Sequence, residues 1–316
     1  MSGSSQVNLT DWKLKTVICG NQTTHSSANS SAGTWKRGEE LGRGGFGEVW
    51  KETCHSIFSE KPRIRAVKRI WKTDKATQEL PNLIKLSTKN YYGTDHLKHF
   101  VEFFGWYEDV EGGIRIAMEY IPNHDLQHHI QKRHEKVGSG KGFDEVESAS
   151  IVVEISKALK FMHEKNIMHR DLKPANVLIS AAEPNWQIKL ADFGISKDTE
   201  HAAAQTKAGT DGYMAPEVAD SNRTRPYTSS ADIWSLGAIT FCIQTGKPPF
   251  PDNIAVARYV DGRIGFPFKD MMELSGKLVV LIMQLMDVVP ARRPTVDDVL
   301  QHPWVITGDD VPPDRR

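Results

Sequence analysis

The chain has 316 residues, 39% of them apolar and 25% charged, with a formal net charge of zero. This is the make-up of a globular protein of one large or two modest domains, and it excludes a global field drawing the chain to nucleic acid or an anionic membrane. No apolar run reaches the roughly 18 residues of a bilayer span, the Met1-Ser2-Gly3-Ser4-Ser5 start predicts no secretory leader, and Cys19, Cys54 and Cys242 are too dispersed for a metal motif, reading as reduced thiols of a cytoplasmic or nuclear protein.

Residues 1–34, rich in Ser, Thr and Asn, read as a flexible N-terminal segment in which Asp11 to Cys19 is the one stretch suited to a strand. From Trp35 onward short apolar runs bounded by turns predict an antiparallel sheet: Glu39-Glu40-Leu41, Glu48 to Lys51, Ile64 to Ile70, Phe100 to Phe104 and Ile114 to Tyr120. A helix is expected over Thr77 to Leu86. After Pro122 the pattern turns helical. Ile151, Ile155, Leu159 and Met162 recur at helix spacing in a helix ending near Asn166, Ser230 to Gln244 forms a second with Gly246 placed to stop it, and Leu274 to Met286 a third. The fold class is therefore α+β, a small β-rich half before a larger helical half. Tyr91 to His99 and Arg133 to Asp144 read as polar loops.

Leu41-Gly42-Arg43-Gly44-Gly45-Phe46-Gly47-Glu48-Val49 fits G-x-G-x-x-G-x-V. Glycines let a backbone turn tightly and bring N–H groups to phosphate oxygens without a Cβ in the way. The same spacing serves dinucleotide sites, but there the loop opens a helix, whereas Val49-Trp50-Lys51 continues as a strand. An ordinary hairpin turn is the competing reading, and Ala66-Val67-Lys68 on a later strand shifts the balance toward a phosphate site with a lysine at hand.

Further on stand His169-Arg170-Asp171-Leu172-Lys173-Pro174-Ala175-Asn176, then Asp192-Phe193-Gly194, then Ala215-Pro216-Glu217. Together with the glycine loop and Ala66-Val67-Lys68 this set resembles the protein kinase family from Trp35 to Trp304, which implies a bilobal kinase domain over 35–305, with an N-lobe over 35–120, a C-lobe over 121–305 and a tail over 306–316. In a loose phosphoryl-transfer transition state the protein mainly neutralises charge and aims the attacking hydroxyl. The resemblance implies Asp171 as the base, Lys68 and Lys173 as phosphate cations, and Asn176 and Asp192 as hard oxygen ligands for Mg²⁺. It implies ATP contacts from Gly42, Gly44, Gly47, Val49, Ala66, Met118 as gatekeeper, Glu119 and Ile121 in the hinge, Asp125 at the ribose, and Leu178. Lys68 is expected to pair with a helical glutamate. Glu79 is the candidate if the helix starts near it, since Pro81 is tolerated in a first turn and not in an interior; otherwise the partner lies elsewhere. Asp232 resembles the anchor of the catalytic loop, and Arg293 the partner of Glu217.

Lys173 and Gly209-Thr210 match the serine/threonine form, with protein substrates, and the resemblance is closest to the calcium/calmodulin-dependent and checkpoint-kinase branch, with a fungal look at Phe104-Gly105-Trp106-Tyr107-Glu108. Ala175 and Cys242 stand where basic-directed relatives carry acids. Arg170 beside Asp171 implies activation by a loop phosphate. Thr206 is the expected site, with Arg170 and Lys197 as its pocket and Thr199 as competitor, phosphorylated by an activating kinase or in trans by a second copy. A pseudokinase scaffold and a small-molecule kinase are the alternatives. His124 and His128 have an i, i+4 spacing open to Zn²⁺, but no further ligand follows in sequence, which favours a plain surface helix.

Overall fold

The computed structural model describes residues 7–27, 30–44, 47–56, 59–70, 74–137, 143–192, 211–219 and 228–309. The chain divides into two compact units, Met1–Leu97 with Val101–Ile121, and Lys98–Phe100 with Pro122–Arg316.

The first unit is built on strands β1 (Lys15–Cys19), β2 (Gln22–Ser27), β3 (Ser30–Gly44), β4 (Gly47–Ser56), β5 (Ser59–Ile70), β6 (Phe103–Glu108) and β7 (Ile114–Glu119). They form one seven-stranded sheet in the order β1-β2-β3-β4-β5-β7-β6, every pairing antiparallel. Strand alternation sorts the side chains. Trp50 lies opposite Val67, and Val67 opposite Ala117, so these three share one face. Val49 and Ile116 lie opposite Lys68, and Met118 opposite Ala66, on the other face.

Here the structure departs from the flexible segment expected over residues 1–34. Its described part carries a 3-10 turn over Leu9–Trp12 and then strands, with β2 paired to β3 from Gln22↔Lys36 to Ser27↔Ser30 across a register shift between His25 and Ser27. The residues just before β1 reach the opposite edge: Lys13 bridges to Trp106 in β6, and the Leu14 N–H donates to the Trp106 carbonyl at 2.8 Å. The segment that runs into β1 thus also pairs with β6 at Trp106. Trp106 Nε1 donates to the Leu9 carbonyl at 3.0 Å. Gly105 permits this approach. Its φ is +141°, and a Cβ there would stand 2.8 Å from the Leu14 side chain and 3.0 Å from the Trp12 carbonyl. Leu14, Trp50, Val67, Tyr107 and Ala117 form the resulting core, with Ile18 packed against it. Composition misled because Ser, Thr and Asn suit a pleated surface as well as a loop once a partner strand is present.

A charged network is sealed beside that core. Arg65 and Glu52, opposite each other on β5 and β4, are 3% and 1% exposed. Arg65 Nε donates to Glu52 at 2.8 Å, and Trp50 Nε1 donates to the other carboxylate oxygen at 3.2 Å. A second Arg65 nitrogen stands 2.6 Å from His25 Nε2. Guanidinium only donates, so Nε2 accepts, the proton sits on Nδ1, and Nδ1 donates to Thr16 Oγ1 at 2.7 Å. Burial first, and the Arg65 charge second, lower the His25 pKa to about 3. An unfolded histidine titrates near 6.5, so between pH 6.5 and 3 the unfolded chain takes up a proton that the folded one refuses. Stability is fully present above 6.5 and falls on acidification by up to about 1.4 kcal/mol per pH unit. Urea unfolding at pH 7.5 and 5.0 checks this, and His25→Gln is expected to flatten the dependence.

Helix α1 (Asp74–Ser87) follows β5 and buries Leu80, Leu83, Ile84 and Leu86, and a short α2 (Lys89–Tyr92) occupies part of the expected polar loop. Helix α1 starts earlier than the expected Thr77, so Pro81 lies inside it and not in a first turn. The four buried side chains offset the hydrogen bond that proline forgoes.

The second unit carries α3 (Leu126–Val137), α4 (Glu145–Glu164), a two-stranded ribbon of β8 (Val177–Ala181) and β9 (Gln187–Leu190), then α5 (Pro216–Ala219), α6 (Ser230–Thr245), α7 (Asn253–Val260), α8 (Gly276–Leu285), α9 (Val296–Leu300) and α10 (Pro303–Asp309). Asp144 and Glu147 close a capping box at the start of α4, and Ile151, Ile155, Leu159 and Met162 face inward as their spacing predicts. Helix α6 is buried along nearly its whole length and ends at Gly246, whose N–H donates to the Cys242 carbonyl at 2.8 Å. No described helix is long and apolar enough to cross a membrane.

Candidate active site

In the first unit the glycine motif is a hairpin. Strands β3 and β4 pair through Gly42↔Val49 to Gly44↔Gly47, with no helix following. Gly47 has φ +129°, and a Cβ there would overlap the Arg69 carbonyl oxygen at 1.7 Å, so no other residue fits. Lys68 is 3% exposed and shares its sheet face with Val49, Ala66, Ile116 and Met118. One face thus presents a cation among apolar walls, the make-up a nucleotide site needs. The Glu119 N–H donates to the Glu102 carbonyl at 2.9 Å, which commits that hinge group. Glu79 lies in α1, and its side chain falls outside the described ones.

In the second unit the loop over His169 to Asn176 is folded around one carboxylate. Asp232, in the first turn of α6 and 2% exposed, accepts the N–H of His169 and of Arg170, each at 3.0 Å, and His163 Nε2 at 2.9 Å. Burial pushes its pKa up, but the His163 hydrogen bond and the neighbouring imidazoles and N–H groups outweigh that and hold it below the usual range. Arg170 is left-handed with φ 67°, which turns the chain toward Asp171. Asp171 Oδ2 contacts Lys173 Nζ at 3.0 Å and accepts Asn176 Nδ2 at 3.1 Å, while the same amide donates to the Asp171 carbonyl at 2.6 Å.

The β8–β9 ribbon brings in Asp192. Val177 lies opposite Leu190, and the Ala191 N–H donates to the Asn176 carbonyl at 3.0 Å, so Asn176 and Asp192 leave the same end of the ribbon. Asp192 is left-handed, φ 58°. The fully buried imidazole of His169 feels Asp232, Asp171 and Asp192, although burial prevails and lowers its pKa. Because Asn176 Nδ2 is committed to Asp171, its remaining donor atom is Oδ1. With the Asp192 carboxylate this is a hard-oxygen pair, which fits Mg²⁺, an ion that keeps waters and phosphates in its shell. No His/Cys/Asp/Glu cluster among the described residues suits another metal, and His124 and His128 simply stack at 4.2 Å.

Asp125 bridges to Leu178 and accepts the His128 N–H at 2.8 Å. It therefore caps α3 with one oxygen, a structural duty the motif did not reveal. Burial raises its pKa against that hydrogen bond.

Asp171, Lys173, Tyr213, Met214 and Ala215 line one cleft within this unit. The Tyr213 segment is pinned by Ser235 Oγ donating to the Tyr213 carbonyl at 2.8 Å and by the Tyr213 hydroxyl donating to Cys242 Sγ at 3.1 Å. Arg293 meets Glu217 as expected, and the structure makes the pair bidentate, at 2.6 and 2.8 Å. Sequence reading missed His163, Ser235 and the anchoring by Cys242, since an ordinary residue two or three turns along a helix carries no local signal. Phe193, Gly194, Lys197, Thr199, Thr206, Gly209 and Thr210 lie outside the described residues.

A family model described as protein kinase domain matches residues 35–305. Among curated proteins, the chain is 34% identical to MAP kinase-activated protein kinase 2 of Cricetulus longicaudatus, over 68% of this chain and 66% of the relative. It is 30% identical to Aurora kinase C of Mus musculus over 85% and 90%, and 32% identical to calcium-dependent protein kinase 27 of Arabidopsis thaliana over 86% and 54%. The alignment with the first of these covers just under two thirds of the relative's length.

Proposed function

The chain belongs to the protein kinase domain family, and from that premise we propose that it transfers the γ-phosphoryl group of ATP to Ser and Thr hydroxyls of protein substrates, in signalling. The observation that carries this is the tie among Asp171, Lys173 and Asn176, with Asn176 and Asp192 leaving one end of the β8–β9 ribbon. Asp171 accepts the hydroxyl proton as the oxygen attacks phosphorus. Lys173 and Lys68 balance charge on the transferring and departing phosphates, and the glycine hairpin lends N–H groups. Asn176 and Asp192 would hold Mg²⁺, which neutralises charge between phosphates. Val49, Ala66, Met118, Glu119, Ile121 and Leu178 serve adenine and Asp125 the ribose; because α1 starts at Asp74 and not near Glu79, the condition that made Glu79 the partner of Lys68 is not met.

In radiolabelled ATP assays on a mixed protein acceptor, Asp171→Asn is expected to lose about 1,000-fold in rate, the middle of the 10²–10⁴ range for loss of a general base. Equal incorporation by wild type and variant would favour the pseudokinase scaffold. A metabolite panel labelled in place of proteins would favour a small-molecule kinase. We place the chain in the calcium/calmodulin-dependent and checkpoint-like branch, of fungal character, cytoplasmic or nuclear. Activation comes from phosphate on Thr206, bound by Arg170 and Lys197 and added by another kinase or a second copy. With Ala175 and Cys242 in place of acids, a peptide array is expected to show little or no selection for Arg two residues before the target.

A further inference from the structure

The glycine hairpin of the first unit carries a side-chain clamp that the phosphotransfer reading does not use. Arg43 stands between Gly42 and Gly44. Its Nε donates to one carboxylate oxygen of Glu40 and a terminal nitrogen to the other, both at 3.1 Å. Its second terminal nitrogen meets Glu48 at 3.1 Å. We propose that Arg43 is a positioning residue for the nucleotide: it holds the two arms of the hairpin at the angle that brings the hairpin N–H groups to the phosphates, and does so from the face of the sheet opposite Lys68. The proposal deepens the kinase reading and rests on it.

The backbone alone leaves that angle loosely set. The register of β3 on β4 slips between Arg37↔Glu52 and Glu40↔Trp50, and again between Glu40↔Trp50 and Gly42↔Val49. Each slip puts an extra residue on β3, interrupts the ladder and bends the strand. The glycines that follow add conformational freedom. Arg43 spans both weak points. Its fork reaches back along β3 to Glu40, across the second slip, and its remaining nitrogen crosses the hairpin to Glu48, its register partner. A planar guanidinium can hold two carboxylates in fixed directions at once, which a lysine ammonium cannot.

The clamp is tied to the core and not left loose at the surface. Glu48 also stands 3.6 Å from Arg37, whose guanidinium lies over the ring of the fully buried Trp50 at 4.1 Å. Glu40 lies opposite Trp50 and Glu48 two residues before it, so these charged groups share the Trp50 face, while Val49 shares the face of Lys68. The hydrogen bond from Arg43 holds the Glu40 carboxyl below its usual range. Exposed ion pairs are individually weak, but a hairpin ordered before the ligand arrives spares binding part of the entropy cost of ordering it.

The test is calorimetric binding to the full chain of two probes: an imido analogue of ATP with Mg²⁺, and adenosine, which has no phosphate. Arg43→Gln is expected to weaken the analogue about three- to tenfold, the span of one to two exposed ion pairs, and to leave adenosine within about twofold. Arg43→Lys keeps the charge without the fork and is expected to weaken the analogue about twofold or more. Glu40→Gln added to Arg43→Gln is expected to cost nothing further, since the two side chains act as one unit. Unchanged analogue affinity in Arg43→Gln, an equal loss for adenosine, wild-type affinity in Arg43→Lys or additive losses in the double variant would each overturn the inference. A wild-type chain that binds neither probe marks the separate failure of the kinase reading and takes the clamp's role with it.

Discussion

Asp232→Asn is expected to cut kcat about 100-fold or more while the catalytic side chains themselves stay in the sequence. Both carboxylate oxygens of Asp232 are in use, one for the Arg170 N–H and the other for the His169 N–H and His163. An asparagine offers one oxygen and turns an NH₂ toward a donor, so one of the loop's N–H groups faces a like partner in a buried site. Removing one member of a buried charged cluster costs about 3–5 kcal/mol. Even the part of that cost taken up by loop displacement matters, because a shift of about 1 Å in a catalytic group costs on the order of 100-fold. Stopped-time assays with saturating ATP and peptide, alongside thermal unfolding, separate the two effects. A variant that unfolds earlier yet keeps wild-type kcat at a temperature where it is folded would show that Asp232 holds the fold and not the loop.

Leu14→Asp is expected to lower the melting temperature of the first unit by about 10 °C or more, whereas Val17→Asp is expected to change it little. Leu14 is 7% exposed and packs against Trp50, Val67 and Tyr107; Val17 is 71% exposed. Truncating a buried leucine costs about 2–5 kcal/mol, and a carboxylate in its place adds the cost of an unpaired buried charge. Each kcal/mol moves a domain's midpoint by several degrees. Deleting residues 1–27 goes further, since it also opens the Arg65–Glu52 pair by removing His25. Strand β5 carries Arg65 and Val67 on the covered face and Lys68 on the other, so the deletion is expected to raise the KM for ATP as well. Scanning calorimetry of the two point variants and the deletion checks the series. Equal midpoints for Leu14→Asp and Val17→Asp would refute the packing role of the N-terminal segment.

The parts of the site legible in sequence were those whose residues are close together along the chain. Asp171, Lys173 and Asn176 fall within one loop, and the glycine hairpin within one turn, so a single stretch shows the whole constellation. Asp192 and Asp232 were legible because each carries its own short motif. Helix α1 was found, but not its start, since Pro81 argued for a boundary that packing of Leu80, Leu83, Ile84 and Leu86 overrides. The capping duty of Asp125 and the pinning of Tyr213 by Ser235 and Cys242 needed coordinates, because each depends on which way one side chain faces.

The amino-acid order by itself determined the kinase family and the fold class, since the motifs that carry them rest on chemistry that few residue types supply at fixed spacing. Tertiary structure alone decided that the two strands within residues 15–27 extend the sheet and that Leu14 joins its core. Such contacts join residues 40 and 97 positions apart, as between His25 and Arg65 or Leu9 and Trp106. A polar strand gains its stability from a partner that its own periodicity does not name.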